Sequence, residues 1–424
     1  MRGIAITCAV VLLSGAIYSV GETGQTGQAG QTGQPAQRSP SAQVVAAVQR
    51  ALALERKANY PAAEATWESV VKLEPRNAQA YAHLGLLEAR QDQYAEAILH
   101  YRKAQSLAKA ENRPIPQLNL NLGLALFKLG KFDEAAGLFQ EELKRNPNSD
   151  NAQKLTTLTA MSFYGAHQYG ATIPYLKEAV AADPKNLTLL LTLAHCYLWT
   201  KQFNPTLEVF KQILAVDPDS AEADMIAGEA LDEKGDSDGA LEQFRAAVKA
   251  NPKEPNVHFG LGYVLWTQKK YAEAIPEFEA ELANDPKNNQ AMIYLGDTFI
   301  RENQFDRGRA VLEQADKYQT SDSLIHLDLG IAYMETGDKD GAVREFNKTV
   351  ALEPDNVTAH FRLATLYRTM GKKDEAKAEF AKANTLNKKR DDSVYKRISD
   401  ANTRAGTTPD EPQKPDGATK PDQP

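Results

Sequence analysis

The sequence predicts an all-α protein built from about ten copies of a 34-residue helix-turn-helix unit. The first observation is a 34-residue spacing between prolines, at Pro184, Pro218, Pro252 and Pro286. The second is the periodicity of residues 255–288, where apolar or bulky side chains recur every three or four residues in both halves, as in two amphipathic helices. Because one such pair cannot bury its own apolar face, it needs neighbouring copies.

The clearest copy also fixes where its helices end. Lys269 and Lys270 separate the two predicted helices, and Pro286 ends the second because proline cannot continue a helix. When the unit is laid along the chain in register, it gives ten copies, which start at Val44, Ala78, Pro116, Gln153, Leu187, Ala221, Pro255, Asn289, Ser323 and Val357.

The copies share a small residue and a large residue at fixed places. The eighth place holds only Gly or Ala, for example Gly123 and Gly330, and the twenty-fourth place is always bulky, for example Phe139 and Phe346. Large residues that oppose small ones at constant offsets predict helices that interdigitate closely.

This period, with its small, large and proline positions, resembles the tetratricopeptide repeat (TPR) family. The resemblance covers residues 44 to about 390. It implies a right-handed α-α superhelical solenoid of about ten TPR repeats, in which the first helices of successive repeats line a concave groove.

In proteins of this family, repeat places 2, 5, 6, 9, 12 and 13 point into the groove. Carried onto this sequence, the middle of the groove would present Met161, Tyr164, His195, Trp199, Met225, Glu229, Asp232, Phe259, Tyr263, Trp266, Tyr294, Asp297 and Met334. Aromatic and methionine side chains offer a large contact area, and neighbouring carboxylates favour basic or hydroxylated ligands. The alternative for each residue is that it stacks between neighbouring repeats and does not bind a ligand.

The segments outside the repeats predict export and flexible ends. Residues 1–20, with Arg2 ahead of a short apolar stretch, predict a cleaved signal peptide, or alternatively an uncleaved membrane anchor. Residues 21–43 predict a disordered Gly/Gln/Thr linker, 391–404 a capping helix that closes the last repeat, and 405–424 a disordered tail. An export segment ahead of TPR repeats is typical of secreted or periplasmic bacterial TPR proteins.

Some repeats depart from the pattern. Copies two to four are spaced by 38 and 37 residues, Thr320 replaces a repeat-ending proline, and Gly308 weakens the helix before it. Functional joints and neutral drift both explain these irregularities. Other junctions predict helix caps, at Asn77, Asn186, Ser220, Asn288, Asp322 and Asn356.

The chain carries none of the common catalytic or metal-binding motifs, so no catalytic residue, metal ligand or cofactor site is predicted. His258, His326 and His360 share the fourth repeat place, which the periodicity assigns to packing. Cys196 is predicted to be a small buried residue, and signal cleavage would leave it without a disulfide partner.

The charge of the chain bears on nucleic acids as partners. The formal net charge is −7 and no basic stripe accompanies the aromatic residues, which argues against nucleic-acid binding. No copy has Lys at place 5 with Asn at place 9, so the grip by which some TPR domains hold a C-terminal carboxylate is not predicted.

The expected function is therefore a non-enzymatic scaffold or adaptor that binds an extended protein or peptide segment in the concave groove. The export segment places it in the periplasm or outside the cell, in cell-envelope assembly or secretion, with membrane contact only through an uncleaved signal segment. The alternative is a carbohydrate-binding accessory of polysaccharide export or assembly. A third option is an enzyme subunit whose chemistry lies in a partner chain. The partner, pathway and oligomeric state stay open.

Overall fold

The computed structural model describes residues 41–319 and 321–405, and every regular element in these ranges is a helix. The first helices of the ten pairs are α1 (Ala42–Arg56), α3 (Ala78–Arg90), α5 (Leu118–Lys128), α7 (Ala152–Gly165), α9 (Leu187–Trp199), α11 (Ala221–Glu233), α13 (Val257–Thr267), α15 (Asn289–Arg301), α17 (Ser323–Glu335) and α19 (Val357–Thr369). The second helices are α2 (Tyr60–Leu73), α4 (Tyr94–Ala110), α6 (Phe132–Arg145), α8 (Tyr169–Ala182), α10 (Phe203–Leu214), α12 (Ser237–Ala250), α14 (Tyr271–Asn284), α16 (Phe305–Asp316), α18 (Lys339–Leu352) and α20 (Lys373–Ala405).

The all-α class and the count of ten pairs are confirmed. Each predicted repeat start lies within two residues of the first residue of a helix. The copy predicted to start at Pro116 begins its helix at Leu118, because the intervening Gln117 has a left-handed backbone with φ +60°.

The segment predicted as a separate capping helix, 391–404, is helical but continues α20 without a break, and its capping role stays a prediction. The predicted signal peptide at 1–20, the linker up to residue 40, Thr320 and the tail beyond residue 405 lie outside the described residues. No helix in the described ranges is long and apolar enough to cross a membrane.

The chain divides into two units, one ending at Val264 and the other beginning at Leu265. In the first unit, the core contains Trp67 and Tyr101 near its start and Phe139 and Leu190 farther along, each almost fully buried. In the second unit, Leu312 and Ile325 belong to one buried cluster, and Phe346 and Leu363 to another.

The predicted contact between the eighth and twenty-fourth places is present in both units. A Cβ atom added at Gly123 would stand 2.5 Å from the ring of Phe139, and one at Gly330 would stand 2.6 Å from the ring of Phe346. Gly308, which the sequence analysis treated as a weakness of its helix, serves the same purpose: an added Cβ would lie 2.7 Å from Ile300 Cδ1.

The predicted helix caps are confirmed at five of six positions. Side-chain oxygens accept a hydrogen bond from a backbone N–H of the following helix at Asn77, Asn186, Asn288, Asp322 and Asn356. The prediction was wrong for Ser220, which precedes α11 with the same extended backbone but makes no side-chain cap bond. Cys196 is buried in α9, as expected, and burial raises the pKa of its thiol to about 12.

Candidate functional site

The structure separates the thirteen predicted groove residues by exposure. Five of them are buried: Met161, Tyr164, Met225, Phe259 and Asp297. Seven are partly buried: His195, Glu229, Asp232, Tyr263, Trp266, Tyr294 and Met334. Trp199, with 47% of its surface accessible, is the one exposed member of the set. The buried members therefore serve packing first, whereas the Trp199 side chain is open to a ligand.

In the first unit, four aromatic side chains form a group that we call the Trp199 cluster: Tyr164, Tyr169, His195 and Trp199. Tyr164 ends α7, Tyr169 begins α8, and the other two lie one turn apart on α9. The indole of Trp199 stacks on the ring of Tyr169, with a centroid distance of 5.5 Å and an interplanar angle of 22°. Tyr169, which lies on a second helix, was missed by the sequence analysis.

Two hydrogen bonds determine the protonation state of His195. Trp199 Nε1 donates to His195 Nε2 over 3.0 Å, and because an indole N–H can only donate, Nε2 carries no proton. The proton of the neutral ring therefore lies on Nδ1, which donates to the hydroxyl oxygen of Tyr164 over 3.0 Å. Burial lowers the pKa of His195 to about 4, in agreement with a neutral ring.

The Trp199 cluster thus presents a rigid aromatic surface. One face of the indole is covered by Tyr169 and its N–H is fixed by His195, yet nearly half of the side chain is accessible. An aromatic side chain held in this way loses little conformational entropy on binding, as interface hot spots do.

Carboxyl groups lie on α11, the first helix of the pair that follows α9. Burial raises the pKa of Glu229 to about 7, with smaller contributions from nearby carboxylates including Glu233 and Asp232. Burial also raises the pKa of Asp232, and Glu233 adds to the shift. In the same unit, Phe259 and Tyr263 stack with centroids 6.2 Å apart. These carboxyl groups would gain from a cationic or hydroxyl-bearing partner group.

In the second unit, a different group surrounds the other predicted tryptophan, and we call it the Trp266 site: Trp266, Tyr271, Asp297, Arg301 and Asp328. Trp266 Nε1 and Arg301 Nε both donate to Asp297 Oδ2, the latter over 2.6 Å. The guanidinium carbon of Arg301 lies 5.3 Å from the Trp266 ring centroid and 5.5 Å from that of Tyr271.

A buried carboxyl pair supports the Trp266 site. Asp297 on α15 and Asp328 on α17 are 1% and 3% exposed, and the two carboxyl groups interact electrostatically. Burial, followed by the charge of Asp297, raises the pKa of Asp328 well above its usual value. One oxygen of the Asp328 carboxyl group, Oδ2, is buried and has no hydrogen-bond partner among the described residues.

Arg301 and Asp328 were not among the predicted site residues. Both occupy places that the TPR resemblance assigns to the groove, place 13 for Arg301 and place 6 for Asp328. The repeat register could therefore have identified them, but neither residue was chosen as a candidate.

The histidines assigned to packing have a second role. His326 and His360 are buried as predicted, and each Nδ1 meets a carboxylate of the second helix of its own repeat, Glu345 at 2.9 Å and Glu379 at 2.5 Å. Across the described part of the chain, no group of three or more His, Cys, Asp or Glu side chains is placed to hold a metal ion. These pairs therefore belong to the scaffold.

Comparison with known proteins agrees with this architecture. Models of the tetratricopeptide repeat match residues 48–114, 116–149, 163–205, 207–255, 230–289, 265–329 and 327–387. A curated relative, DnaJ homolog subfamily C member 3 of Gallus gallus, is 31% identical over 28% of this chain. The match spans only 29% of that relative's length.

Three solved structures match part of this chain. YrrB, described as a TPR protein with an unusual peptide-binding site, is 17% identical with a TM-score of 0.40, over 43% of this chain and 95% of its own. Pseudomonas aeruginosa pilF is 18% identical with a TM-score of 0.45, over 50% and 96%. A TPR protein of Parabacteroides merdae is 15% identical with a TM-score of 0.44, over 58% and 97%. The repeat matches, which cover most of the chain, show that it belongs to the tetratricopeptide repeat family, whose members are protein-interaction scaffolds and generally not enzymes.

Proposed function

We propose that this TPR protein is a non-enzymatic scaffold that binds an extended peptide segment on the faces of its first helices. The observation that carries the proposal is the exposed indole of Trp199, stacked on Tyr169 and held by neutral His195. A large aromatic surface that is both accessible and fixed is the usual anchor of a protein interface.

The carboxyl groups of α11 support the same proposal. The side-chain carboxyl groups of Glu229 and Asp232 form no hydrogen bond or ion pair with a described residue, and burial raises the pKa of both. A partner that places a basic side chain near them would stabilise their ionised forms. The partner is therefore proposed to carry an apolar or aromatic residue for Trp199 and basic residues beside it.

The location is proposed from the sequence alone. The short positive and apolar segment at 1–20 is the pattern of an export signal, so we place the protein in the periplasm or outside the cell. Amino-terminal sequencing of the protein from its own envelope fraction tests this, since an intact Met1 would contradict cleavage.

The binding proposal is tested by affinity capture from an envelope extract of the source, with wild-type protein and a Trp199→Ala variant. Tyr318→Ala is the matched control, because Tyr318 is an aromatic residue of the second unit with 56% exposure that lies after α16 and outside any first helix. Trp266 is unsuitable for this test because its indole is a hydrogen-bond donor to buried Asp297. We expect Trp199→Ala to lose a captured protein that both wild type and Tyr318→Ala retain.

Capture that is unchanged by Trp199→Ala would contradict a binding surface at Trp199. Saturable, Trp199-dependent binding on a glycan array, without a protein partner, would replace the peptide scaffold by the carbohydrate-binding alternative, since exposed aromatic rings also stack on sugars.

A further inference from the structure

We infer that the guanidinium group of Arg301 is a preorganised binding point for an acidic side chain of a peptide segment bound at the second unit. This inference rests on the proposed peptide-binding function and adds a chemical class to it, an aspartate or glutamate carboxylate received in the second unit.

The geometry leaves the outer edge of the guanidinium open. Arg301 donates through Nε to Asp297, whereas neither of its terminal nitrogens, Nη1 and Nη2, forms a hydrogen bond with any described residue. Its side chain is 41% exposed. Two parallel N–H groups at the end of a guanidinium match the two oxygens of a carboxylate, and such bidentate pairs are among the strongest hydrogen bonds in proteins.

The group is also fixed before any ligand arrives. It lies over the rings of Trp266 and Tyr271, and its inner edge is held by a carboxylate that is 99% buried, since Asp297 is only 1% exposed. Asp297 is held in turn by the indole N–H of Trp266. An arginine restrained by two rings and along one edge loses little rotamer entropy when a carboxylate binds, and this entropy loss is the usual cost of using a long side chain.

The local charges are compatible with an anionic ligand. Asp297 is already paired with Arg301, which donates to it through Nε. Burial raises the pKa of Asp328 well above its usual value, which favours its neutral form. An arriving carboxylate therefore meets an outward-facing donor edge whose nearest carboxylate is already paired.

The test uses the full chain labelled with 5-fluorotryptophan, because its three tryptophans give separate fluorine NMR signals. Substitution of each tryptophan by phenylalanine assigns the signals, and that of Trp266 reports on Arg301, which lies over its ring. The probes are tetraglutamate and tetraglutamine peptides with blocked ends, and a tetraglutamine peptide with a free C-terminal carboxylate.

We expect the blocked tetraglutamate to shift the Trp266 signal saturably, whereas blocked tetraglutamine does not. Arg301→Gln should weaken tetraglutamate binding about tenfold, since a hydrogen bond to a charged group contributes that order of affinity. Arg301→Lys keeps the positive charge beside Asp297 but loses the paired donors, and should weaken binding several-fold. Arg344→Gln removes an exposed arginine of α18 and should bind as the wild type does.

Equal affinity of wild type and Arg301→Gln, or a Trp266 signal that does not respond to tetraglutamate, would overturn the inference. A stronger response to the peptide with a free C-terminus than to tetraglutamate would overturn the assignment to an acidic side chain. Trp199→Ala separates this result from the proposed function: Trp266 responds in that variant even if the Trp199 cluster binds nothing.

Discussion

The Trp199 cluster and the Trp266 site each hold an indole N–H on a fixed acceptor, but they do so in different ways. In each, a tryptophan at place 12 or 13 of a first helix donates its indole N–H to a fixed acceptor. The acceptor of Trp199 is a neutral imidazole one turn back on the same helix, whereas that of Trp266 is a buried carboxyl group of the next repeat. The first arrangement is local and leaves the indole exposed, while the second joins two repeats and makes the indole part of the scaffold.

The largest expected effect is the loss of Asp297. Asp297→Ala removes the acceptor of both Trp266 and Arg301 and leaves Asp328 buried without its partner, so we expect a loss of about 3 kcal/mol in local stability. The measurement is hydrogen exchange by mass spectrometry over α13, α15 and α17, which reports local opening free energies.

The matched control for that change is Asp306→Ala. Asp306 is 80% exposed in its ion pair with Arg309, and exposed pairs contribute little, so exchange in the same helices should be nearly unchanged. Equal effects of the two substitutions would mean that the buried carboxyl pair has no special structural role.

The second effect is pH dependence at the Trp266 site. Because the pKa of Asp328 is raised on folding, its contribution to stability is full below the unfolded pKa and is lost as pH rises through the folded pKa. Asp297, Arg301 and Asp322 are the charged groups that act on it. Asp328→Asn should therefore flatten the fall in α15–α17 protection toward alkaline pH.

Asp355→Asn serves as the control for the pH series, because Asp355 is an exposed carboxyl group of the same unit. If α15–α17 protection fell equally with pH in Asp328→Asn and in the wild type, another group would be the cause of the pH dependence.

A smaller effect is expected when the acceptor of Trp199 is removed. His195→Ala deletes one hydrogen bond to Tyr164 and one to Trp199, both between neutral groups, and should lower the local stability of α7–α9 by about 1–2 kcal/mol. Asp150→Asn is the control, since Asp150 lies just ahead of α7, is exposed and makes no side-chain hydrogen bond with a described residue. A loss of local stability as large as that of Asp297→Ala would contradict the difference proposed between the surroundings of Trp199 and Trp266.

The smallest effect concerns acidification of the Trp199 cluster. The pKa of His195 is lowered to about 4, so its contribution is present above its unfolded pKa of 6.5 and is lost as pH falls toward about 4. Protonation of Nε2 would remove the acceptor of the indole N–H. We expect the fluorine signal of Trp199 to shift with a midpoint near pH 4, and to lose that transition in His195→Ala. A midpoint near 6.5 would contradict the burial of the imidazole.

Much of the fold could be predicted from the sequence because repetition averages out local ambiguity. A single amphipathic stretch gives uncertain helix ends, but ten aligned copies fixed the repeat starts within two residues. The same alignment identified Gly123 and Gly330 as contact points for Phe139 and Phe346, which the structure confirms. For Gly308 it indicated a weaker helix, and the structure adds that a Cβ at this position would lie 2.7 Å from Ile300 Cδ1 on the neighbouring helix.

The candidate site was less predictable because the repeat register gives direction but not exposure. It named Tyr164 and Trp199 as equivalent groove residues, although one is buried and the other open. It named Asp297 but could not show that Asp328 would lie against it, since that contact joins side chains 31 residues apart.

By itself, the sequence determined the all-α class, the ten helix pairs and the packing of small against large residues, because each depends on a pattern repeated every 34 residues. Only the tertiary structure decided which tryptophan is exposed, which ring nitrogen of His195 carries its proton, and which buried carboxyl groups interact. Those properties depend on burial and on contacts between side chains of different helices, and no periodic pattern within one helix specifies them.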